Sequence, residues 1–193
     1  MPPSCFACSL LAAALLWAGA ACAFQIERSE TRYADRRYQY DLNVRIDAPL
    51  DKVEAILRDY ENYSSLDARI LKARIIERPE PNVAMLETTL RVCLGWFCRN
   101  VNRVERVEES QHALTAKADP NRSDVKFGET HLQLAPGEHG STLVRYSTSI
   151  TPGFWIPTAV GRRWMLRTLE DATTDLFMNV EMKAAGKEKA ASN

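Results

Sequence analysis

Three histidines are the main candidates for acid–base chemistry in this sequence. His131 lies in a strand-like run beside Glu129, and side chains two positions apart on a strand share a face, so the two could form a general acid/base pair. The alternative is that both belong to the polar outer face of an exposed strand. No nucleophile elbow, phosphate-binding loop, zinc-ligand spacing or dinucleotide fingerprint is present, so the sequence gives catalysis little support.

Two cysteines, Cys93 and Cys98, lie in the segment LRVCLGWFCRNV. The segment reads as two strands joined at Gly95-Trp96, which would place Cys93 directly opposite Cys98. Opposed positions in an antiparallel pair bring Cβ atoms close enough for a disulfide. A redox or metal pair is the alternative, but redox motifs have two intervening residues and this pair has four, with no His cluster nearby. We expect a structural disulfide, with no metal site and no cofactor.

Three large apolar residues, Phe154, Trp155 and Ile156, stand between two prolines in a predicted loop, and Arg162 and Arg163 follow. Clustered apolar groups in an exposed loop tend to mark contact sites, and adjacent arginines attract anionic head groups. The loop therefore has two interpretations. It makes transient contact with a membrane surface, or it folds over the end of the sheet as a plug. The two are compatible, because a plug that opens on contact is a gate.

The charge balance and the first residues bear on partners and location. Acidic and basic residues number 25 each, so a nucleic-acid partner held by bulk positive charge is not expected.

Residues 1–23 contain no Asp, Glu, Lys or Arg, and their apolar run ends at Ala21-Cys22-Ala23. The run is shorter than the about 20 residues of a bilayer span and ends like a signal-peptidase site. Residues 1–23 are therefore interpreted as a secretory signal and the protein as periplasmic or secreted, where an oxidising environment favours disulfides. A lipoprotein anchored at Cys22 and a retained anchor helix are the alternatives.

Hydrophobic periodicity and turn residues divide the remaining chain into strands and helices. Residues 24–37 are charged and without a clear period, and are assigned to a leader segment. Two short helices follow the first strand, and apolar residues at helical spacing predict a long helix over residues 158–182. Helices on one face of an antiparallel sheet define an α+β domain, here residues 38–183, followed by a flexible tail at 184–193. Seven strand-like runs predict the sheet: residues 38–46, 70–78, 83–93, 97–107, 113–118, 125–134 and 142–150.

The segment from Val44 to Tyr63 resembles a known superfamily. Its strand ends in Val-Arg-Ile-Asp-Ala-Pro, its helix carries Val53 and Leu57, and Asp-Tyr-Glu-Asn-Tyr follows. With the Pro-Gly-Phe-Trp-Ile-Pro run before the last helix, this pattern is similar to the START-like (SRPBCC) superfamily. The nearest branch is the polyketide cyclase/dehydrase and lipid-transport group, which includes coenzyme-Q-binding proteins. The Tyr-Pro-x-Trp ending common in that family is replaced by residues 63–66, Tyr-Ser-Ser-Leu, so the resemblance transfers a fold and not a ligand.

The resemblance implies a helix-grip fold, in which a curved seven-stranded antiparallel sheet wraps around the long C-terminal helix and leaves a cavity for a hydrophobic molecule. The expected wall residues are mostly apolar and come from two strands and the helix: Leu86, Leu90, Val92, Val125, Phe127, Leu169, Thr173 and Leu176. Charged strand residues are assigned to the solvent side: Arg91, Arg103, Glu105 and Arg145.

The leading functional interpretation is a monomeric, exported carrier of a lipid or quinone-like compound. One alternative is a cyclase or hydrolase, which predicts ionisable groups that converge inside the cavity. The other is an interaction domain with a filled core, which predicts a cavity below about 300 Å³.

Overall fold

The structure is a computed structural model that describes residues 24–95, 97–156 and 158–186. The segment interpreted as a secretory signal, with Cys22, lies outside the described residues, as do Trp96, Pro157 and the end of the predicted tail. The described elements follow the order expected from the sequence: strands, short helices, a long series of strands and a final long helix.

The described strands form one open antiparallel sheet. They are β1 (Gln25–Ala34), β2 (Arg37–Ile46), β3 (Ile70–Glu80), β4 (Val83–Leu94), β5 (Phe97–Ser110), β6 (Ala113–Ala118), β7 (Val125–Pro136) and β8 (Thr142–Pro152). The helices are α1 (Leu50–Arg58), α2 (Tyr63–Leu66) and α3 (Thr158–Ala184), with 3-10 turns at Tyr60–Asn62 and Glu138–Gly140. Strand order is β1-β2-β8-β7-β6-β5-β4-β3. Three helices against this sheet make the α+β helix-grip arrangement that the sequence predicted.

The sheet has one strand more than the seven predicted, because the segment assigned to a leader forms β1. This strand pairs with β2 from Gln25↔Arg45 to Ala34↔Arg37. Most of its residues are exposed. With neither face buried, the alternating hydrophobicity on which strand prediction depends does not arise. Backbone pairing with β2 therefore defines this edge strand.

β2 shows the opposite behaviour and anchors the core. Its even-numbered residues from Tyr38 to Ile46 are all buried, as the predicted alternation requires. It pairs along its whole length with β8, from Tyr38↔Ile150 to Ile46↔Thr142. An early strand and the last strand are thus neighbours in the sheet.

α3 has 27 residues, which corresponds to about 40 Å and lets it cross the whole sheet. Phe177 and Val180, in its C-terminal half, are almost completely buried in the cluster that includes the inner face of β2. The Glu181 carboxylate accepts hydrogen bonds from the backbone N–H of Phe24 at 3.0 Å and of Asp47 at 2.9 Å. One side chain therefore ties α3 to the residue before β1 and to the residue after β2.

Candidate ligand-binding cavity

A cavity of about 270 Å³ lies between the inner face of the sheet and α3. Strands β4 to β8, α3 and the segment between Leu57 and Ile70 contribute its walls. An engineered cavity of about 150 Å³ holds benzene, and ordinary ligand pockets measure about 300–1,000 Å³. The volume is thus slightly below the bound set for a filled core, yet sufficient for a ring-sized group. A longer ligand would extend through the mouth.

Most of the predicted wall residues border this cavity. Three of them lie on β4, where alternate residues face inward, and three lie on α3 at spacings of four and three residues. They are Leu86, Leu90, Val92, Leu169, Thr173 and Leu176. Their contact with a ligand stays a prediction.

Val125 and Phe127 do not border the cavity. Phe127 lies on the opposite face of β7 from Thr130 and Leu132, which line the cavity. The register shift between Val125 and Phe127 turns Val125 to the inner face. Val125 is buried with Val101 and lines a different, polar recess. Phe127 lies beneath the Arg37 guanidinium, whose carbon is 3.9 Å from the ring centroid. The expectation that both residues contribute to the cavity wall is corrected accordingly.

An ion pair stands among the apolar walls, where the Arg103 guanidinium donates a hydrogen bond to the Glu105 carboxylate. The two side chains retain 15% and 8% of their full exposure. The prediction that they face solvent was wrong, because the pleat of β5 places them on the same inward face as Val101 and Val107, which are buried. Val101 lies two residues before Arg103 and Val107 two residues after Glu105, but Val104 on the other face is buried as well, so the sequence does not distinguish the two faces.

Two polar atoms beside this ion pair are buried without a hydrogen-bond partner among the described residues: Arg103 Nε and Thr88 Oγ1. Thr88 lies directly opposite Arg103 in the β4–β5 ladder, and both residues line the cavity. A buried polar group left unpaired costs about 1–3 kcal/mol. The cavity therefore has hydrogen-bonding capacity that the described protein groups do not use.

Two tyrosines, Tyr63 and Tyr146, add hydroxyl groups to the cavity wall. The Tyr63 hydroxyl donates to the backbone carbonyl of Leu57 at 2.5 Å. Burial, reinforced by the nearby Glu105 carboxylate, raises the pKa of Tyr63 well above its ordinary value. Burial also raises the pKa of Tyr146, although the Arg103 guanidinium opposes the shift. Both phenols consequently stay neutral at physiological pH and act as hydrogen-bonding groups.

The cavity reaches the surface beside β4, where Arg91 lines it and is exposed. Arg145, assigned to the solvent side with it, is exposed and does not line the cavity. Arg69 also lines this edge and pairs with Asp67 at 2.9 Å and with Asp175 of α3 at 2.8 Å. The ion pair with Asp175 links the segment before β3 to α3, so widening the mouth at this point requires that pair to separate.

A charged cluster outside the cavity ties α1 to the β5–β6 turn. Glu54 lies 2.6 Å from Arg58 and 2.9 Å from His112 Nδ1. Arg58 also pairs with Glu109 at 2.7 Å, and Glu109 accepts a hydrogen bond from the Tyr60 hydroxyl at 2.9 Å. Burial opposes ionisation of Glu54, but the hydrogen bonds from His112 and Arg58 outweigh it and lower the pKa of Glu54. Because Tyr60 lines the cavity, this cluster fixes one of its walls.

The acid–base candidates Glu129 and His131 lie 3.3 Å apart, with side chains 31% and 51% exposed. They do not line the cavity, because Thr130 and Leu132, which alternate with them along β7, face it instead. A catalytic role for the pair stays a prediction, and nothing in the cavity geometry adds to it.

The loop before α3 does not border the cavity. Trp155 is 79% exposed. Phe154 is half-buried, with the Arg99 guanidinium carbon 4.2 Å from its ring centroid, and Ile156 packs into the cluster around Met165. Of the three apolar residues, only Trp155 is freely available to a partner.

The arginines that follow this loop are both exposed on the first turns of α3. Arg162 lies over the ring of Tyr33, with its guanidinium carbon 4.3 Å from the ring centroid. Arg163 projects from the next position. They extend a cationic surface from the loop along the helix.

Cys93 and Cys98 occupy paired positions at the end of the β4–β5 hairpin and form a disulfide with an S–S distance of 2.04 Å, which confirms the predicted bridge. Gly95 in the turn has a φ of +65°, a conformation that favours glycine. A Cβ added there would lie 2.7 Å from the ring of Trp164. The hairpin end therefore packs directly against α3.

In the described part of the chain, no group of three or more His, Cys, Asp and Glu side chains could hold a metal ion. None of the described helices is both long and apolar enough to cross a bilayer.

A long helix held by an antiparallel sheet, with an apolar cavity between them, defines the START-like class of domains. The chain belongs to the polyketide cyclase/dehydrase and lipid transport family, whose model matches residues 37–181. No functionally curated protein matches the sequence at a significant level.

Several solved structures share the fold at low sequence identity. An aromatase/cyclase from Streptomyces sp. R1128 superposes with a TM-score of 0.66 at 12% identity, covering 81% of this chain and 99% of that chain. A START superfamily protein from Mycobacterium smegmatis gives 0.61 at 17% identity, covering 75% and 98%. A STAR-related lipid transfer protein from Xanthomonas axonopodis gives 0.61 at 13% identity, covering 82% and 98%. At these identities the similarity establishes the fold.

Proposed function

We propose that the protein is an exported carrier that holds one small hydrophobic molecule, lipid- or quinone-like, with a neutral polar head. The observation that carries this proposal is the Arg103–Glu105 ion pair inside an otherwise largely apolar cavity. Apolar walls favour a hydrophobic body, at roughly 25 cal/mol per Å² of area removed from water. The ion pair, with the unpartnered Arg103 Nε and Thr88 Oγ1, offers hydrogen bonds to a polar head.

The charges of the pair narrow the kind of head group. Arg103 is already neutralised by Glu105, so a carboxylate or phosphate head beside the pair would meet the Glu105 charge, and the other arginines of the lining, Arg69 and Arg91, lie at the mouth. Burying an unpaired charge is far more costly than burying a hydrogen-bonded neutral group. A hydroxyl or carbonyl oxygen can accept from Arg103 or bond Thr88 at no such cost. A quinone carbonyl or a lipid hydroxyl therefore suits the site better than a free fatty acid.

The family and the fold support a role in binding hydrophobic molecules. The family description includes lipid transport, and one structural neighbour is named as a lipid transfer protein. Export follows from the charge-free apolar segment at residues 1–23, and the Cys93–Cys98 disulfide is of the kind that oxidising compartments favour. Such a carrier would work as a monomer in the periplasm or outside the cell and exchange its ligand at a membrane surface, using Trp155.

The decisive experiment is native mass spectrometry of the protein purified from its own host, followed by extraction and identification of any bound compound. We expect one neutral amphipathic molecule per chain. Ala172 lines the cavity from α3, so Ala172→Phe should fill it and abolish co-purification. Met178 is 43% exposed on the same helix, so Met178→Phe is the matched control and should retain the ligand. A ligand-free wild-type protein that ignores a panel of quinones and lipids would refute the carrier function.

A second candidate function is catalysis on a bound ligand, because the feature predicted for an enzyme is present: ionisable groups converge inside the cavity. Glu105 would act as the base and Tyr146 as a hydrogen-bond donor to the reacting oxygen. Incubating the extracted ligand with the protein and recording its mass distinguishes the two functions. Conversion that is lost in Glu105→Gln would favour the enzyme, and an unchanged mass would favour the carrier.

A further inference from the structure

A second recess, separate from the ligand cavity, lies where the start of β5, the start of β7 and the loop before α3 meet. Its volume is about 280 Å³. Four polar or charged side chains line it, Arg99, Ser123, Asp124 and Lys126, together with Val125 and Phe154. Neither the family nor the proposed carrier function accounts for a polar recess at this place.

Two cations line this recess without a carboxylate partner. Neither Arg99 nor Lys126 forms an ion pair within the described residues. The guanidinium of Arg99 is held over the ring of Phe154, and its Nε is buried with no hydrogen-bond partner among the described groups. A stacked guanidinium is pre-organised, so it can bind an oxyanion with little further loss of conformational freedom.

The other polar groups of the recess are engaged in building it. The Asp124 carboxylate accepts from the backbone N–H of Asn102 at 2.8 Å, and its carbonyl accepts from Gly153 N–H at 2.8 Å. The Ser123 hydroxyl is bonded to both backbone groups of Val104. Two unpaired cations against one engaged carboxylate leave a net positive charge, so the complementary ligand is a small anion.

Exposed aromatic side chains flank this cationic recess. Trp155 directly follows Phe154 and is 79% exposed, and Phe97 is 57% exposed. Phe97 and Arg99 are two residues apart on β5 and therefore share a face of that strand. Tryptophan concentrates at the membrane–water interface, and cations at that level attract anionic lipid head groups. An oxyanion site with exposed aromatic residues near it in the chain matches the layered chemistry of a membrane surface.

We infer that this recess binds the phosphate of an anionic phospholipid while Trp155 and Phe97 enter the interface. The inference rests on the proposed membrane contact of the carrier and gives that contact a lipid preference. Each basic residue near an anionic surface contributes about 1 kcal/mol, which is roughly fivefold in affinity.

The test is flotation of the full-length exported protein with two kinds of vesicle, phosphatidylcholine alone and phosphatidylcholine mixed with phosphatidylglycerol. We expect wild type to prefer the anionic vesicles, and Arg99→Gln and Lys126→Gln each to lose about fivefold of that preference. Lys52 is exposed on α1, away from the recess, so Lys52→Gln is the control of equal charge change and should bind like wild type. Lys126 is itself exposed, so its replacement leaves the fold intact.

The outcomes separate the site from the broader membrane contact. Equal effects of Lys126→Gln and Lys52→Gln would overturn the head-group site and reduce the preference to bulk charge. If Trp155→Ser loses binding while Arg99→Gln and Lys126→Gln bind like wild type, the membrane contact is supported and lipid phosphate binding in the recess is refuted. Failure of wild type to bind either vesicle would refute both. Binding of inorganic phosphate that is lost in Arg99→Gln, together with no preference of wild type for the anionic vesicles, would assign the recess to a free phosphate and not to a lipid.

Discussion

Replacing only one residue of the Arg103–Glu105 pair should lower the free energy of unfolding far more than replacing both. The side chains retain only 15% and 8% of their exposure, so solvent screens either charge poorly once its partner is gone. We expect Glu105→Leu and Arg103→Met each to reduce the free energy of unfolding by about 3–5 kcal/mol. For a chain of this size that loss corresponds to roughly 6–20 °C in melting temperature. The double variant should lie within about 1 kcal/mol of wild type or exceed it, because neither charge is then stranded.

Urea denaturation of the four proteins gives the coupling free energy directly. The surface pair Arg45–Glu27, at 3.0 Å with side chains 32% and 39% exposed, is the matched control, and its single variants should cost at most about 1 kcal/mol. Equal costs for the buried and the surface pair would refute the argument that Arg103 and Glu105 are desolvated. The double variant should nonetheless lose ligand affinity by roughly tenfold or more, since hydrogen bonds to charged groups contribute about 1.5–3 kcal/mol.

Three further outcomes are expected. Replacing Cys93 and Cys98 by Ser opens a bridge between residues five positions apart in the sequence and should cost about 2 kcal/mol, measured by denaturation with and without reductant; an unchanged midpoint would contradict it. Gly95→Ala should cost more than about 1 kcal/mol, since it combines positive φ with a contact against Trp164, and wild-type stability would show that the hairpin end moves freely. Glu54 has a lowered pKa in the folded state, so its contribution to stability is present above pH 4.5, its ordinary value, and is lost as pH falls below it. Wild type should therefore lose stability more steeply than Glu54→Gln between pH 5 and pH 3, and parallel curves would exclude that contribution.

The parts of the fold that bury one face were predictable from the sequence. β2 alternates without exception, and the disulfide followed from placing a two-residue turn between Cys93 and Cys98. β1 was not predictable from periodicity, because an edge strand with most residues exposed carries no hydrophobic pattern. Its position is decided by hydrogen bonds to β2, which leave no trace in side-chain composition.

The sequence predicted the apolar walls of the candidate site, but it did not predict the Arg103–Glu105 ion pair inside it. A charged residue on a strand faces solvent in most proteins, and Arg103 and Glu105 were assigned by that tendency alone. Val101 and Val107 share their face, but Val104 on the opposite face is buried as well, so alternation along β5 does not show which face is the inner one. Val125 and Phe127 show another limit, because the register shift that places them on opposite faces is a property of the pairing between β7 and β8 and cannot be read from either strand alone.

The two hydrogen bonds that the Glu181 carboxylate accepts have a consequence for the order in which the domain folds during synthesis. The two backbone N–H groups that donate to it, those of Phe24 and Asp47, precede Glu181 by 157 and 134 positions, so they leave the ribosome well before it. β2 likewise pairs with β8, which lies about a hundred positions later in the chain. Contacts so distant in sequence slow folding, because a long loop must close before they form. Because α3 follows all the described strands, its wall of the cavity is added last. A chain that still lacks α3, whether nascent or truncated, therefore has no enclosed cavity that could bind a ligand.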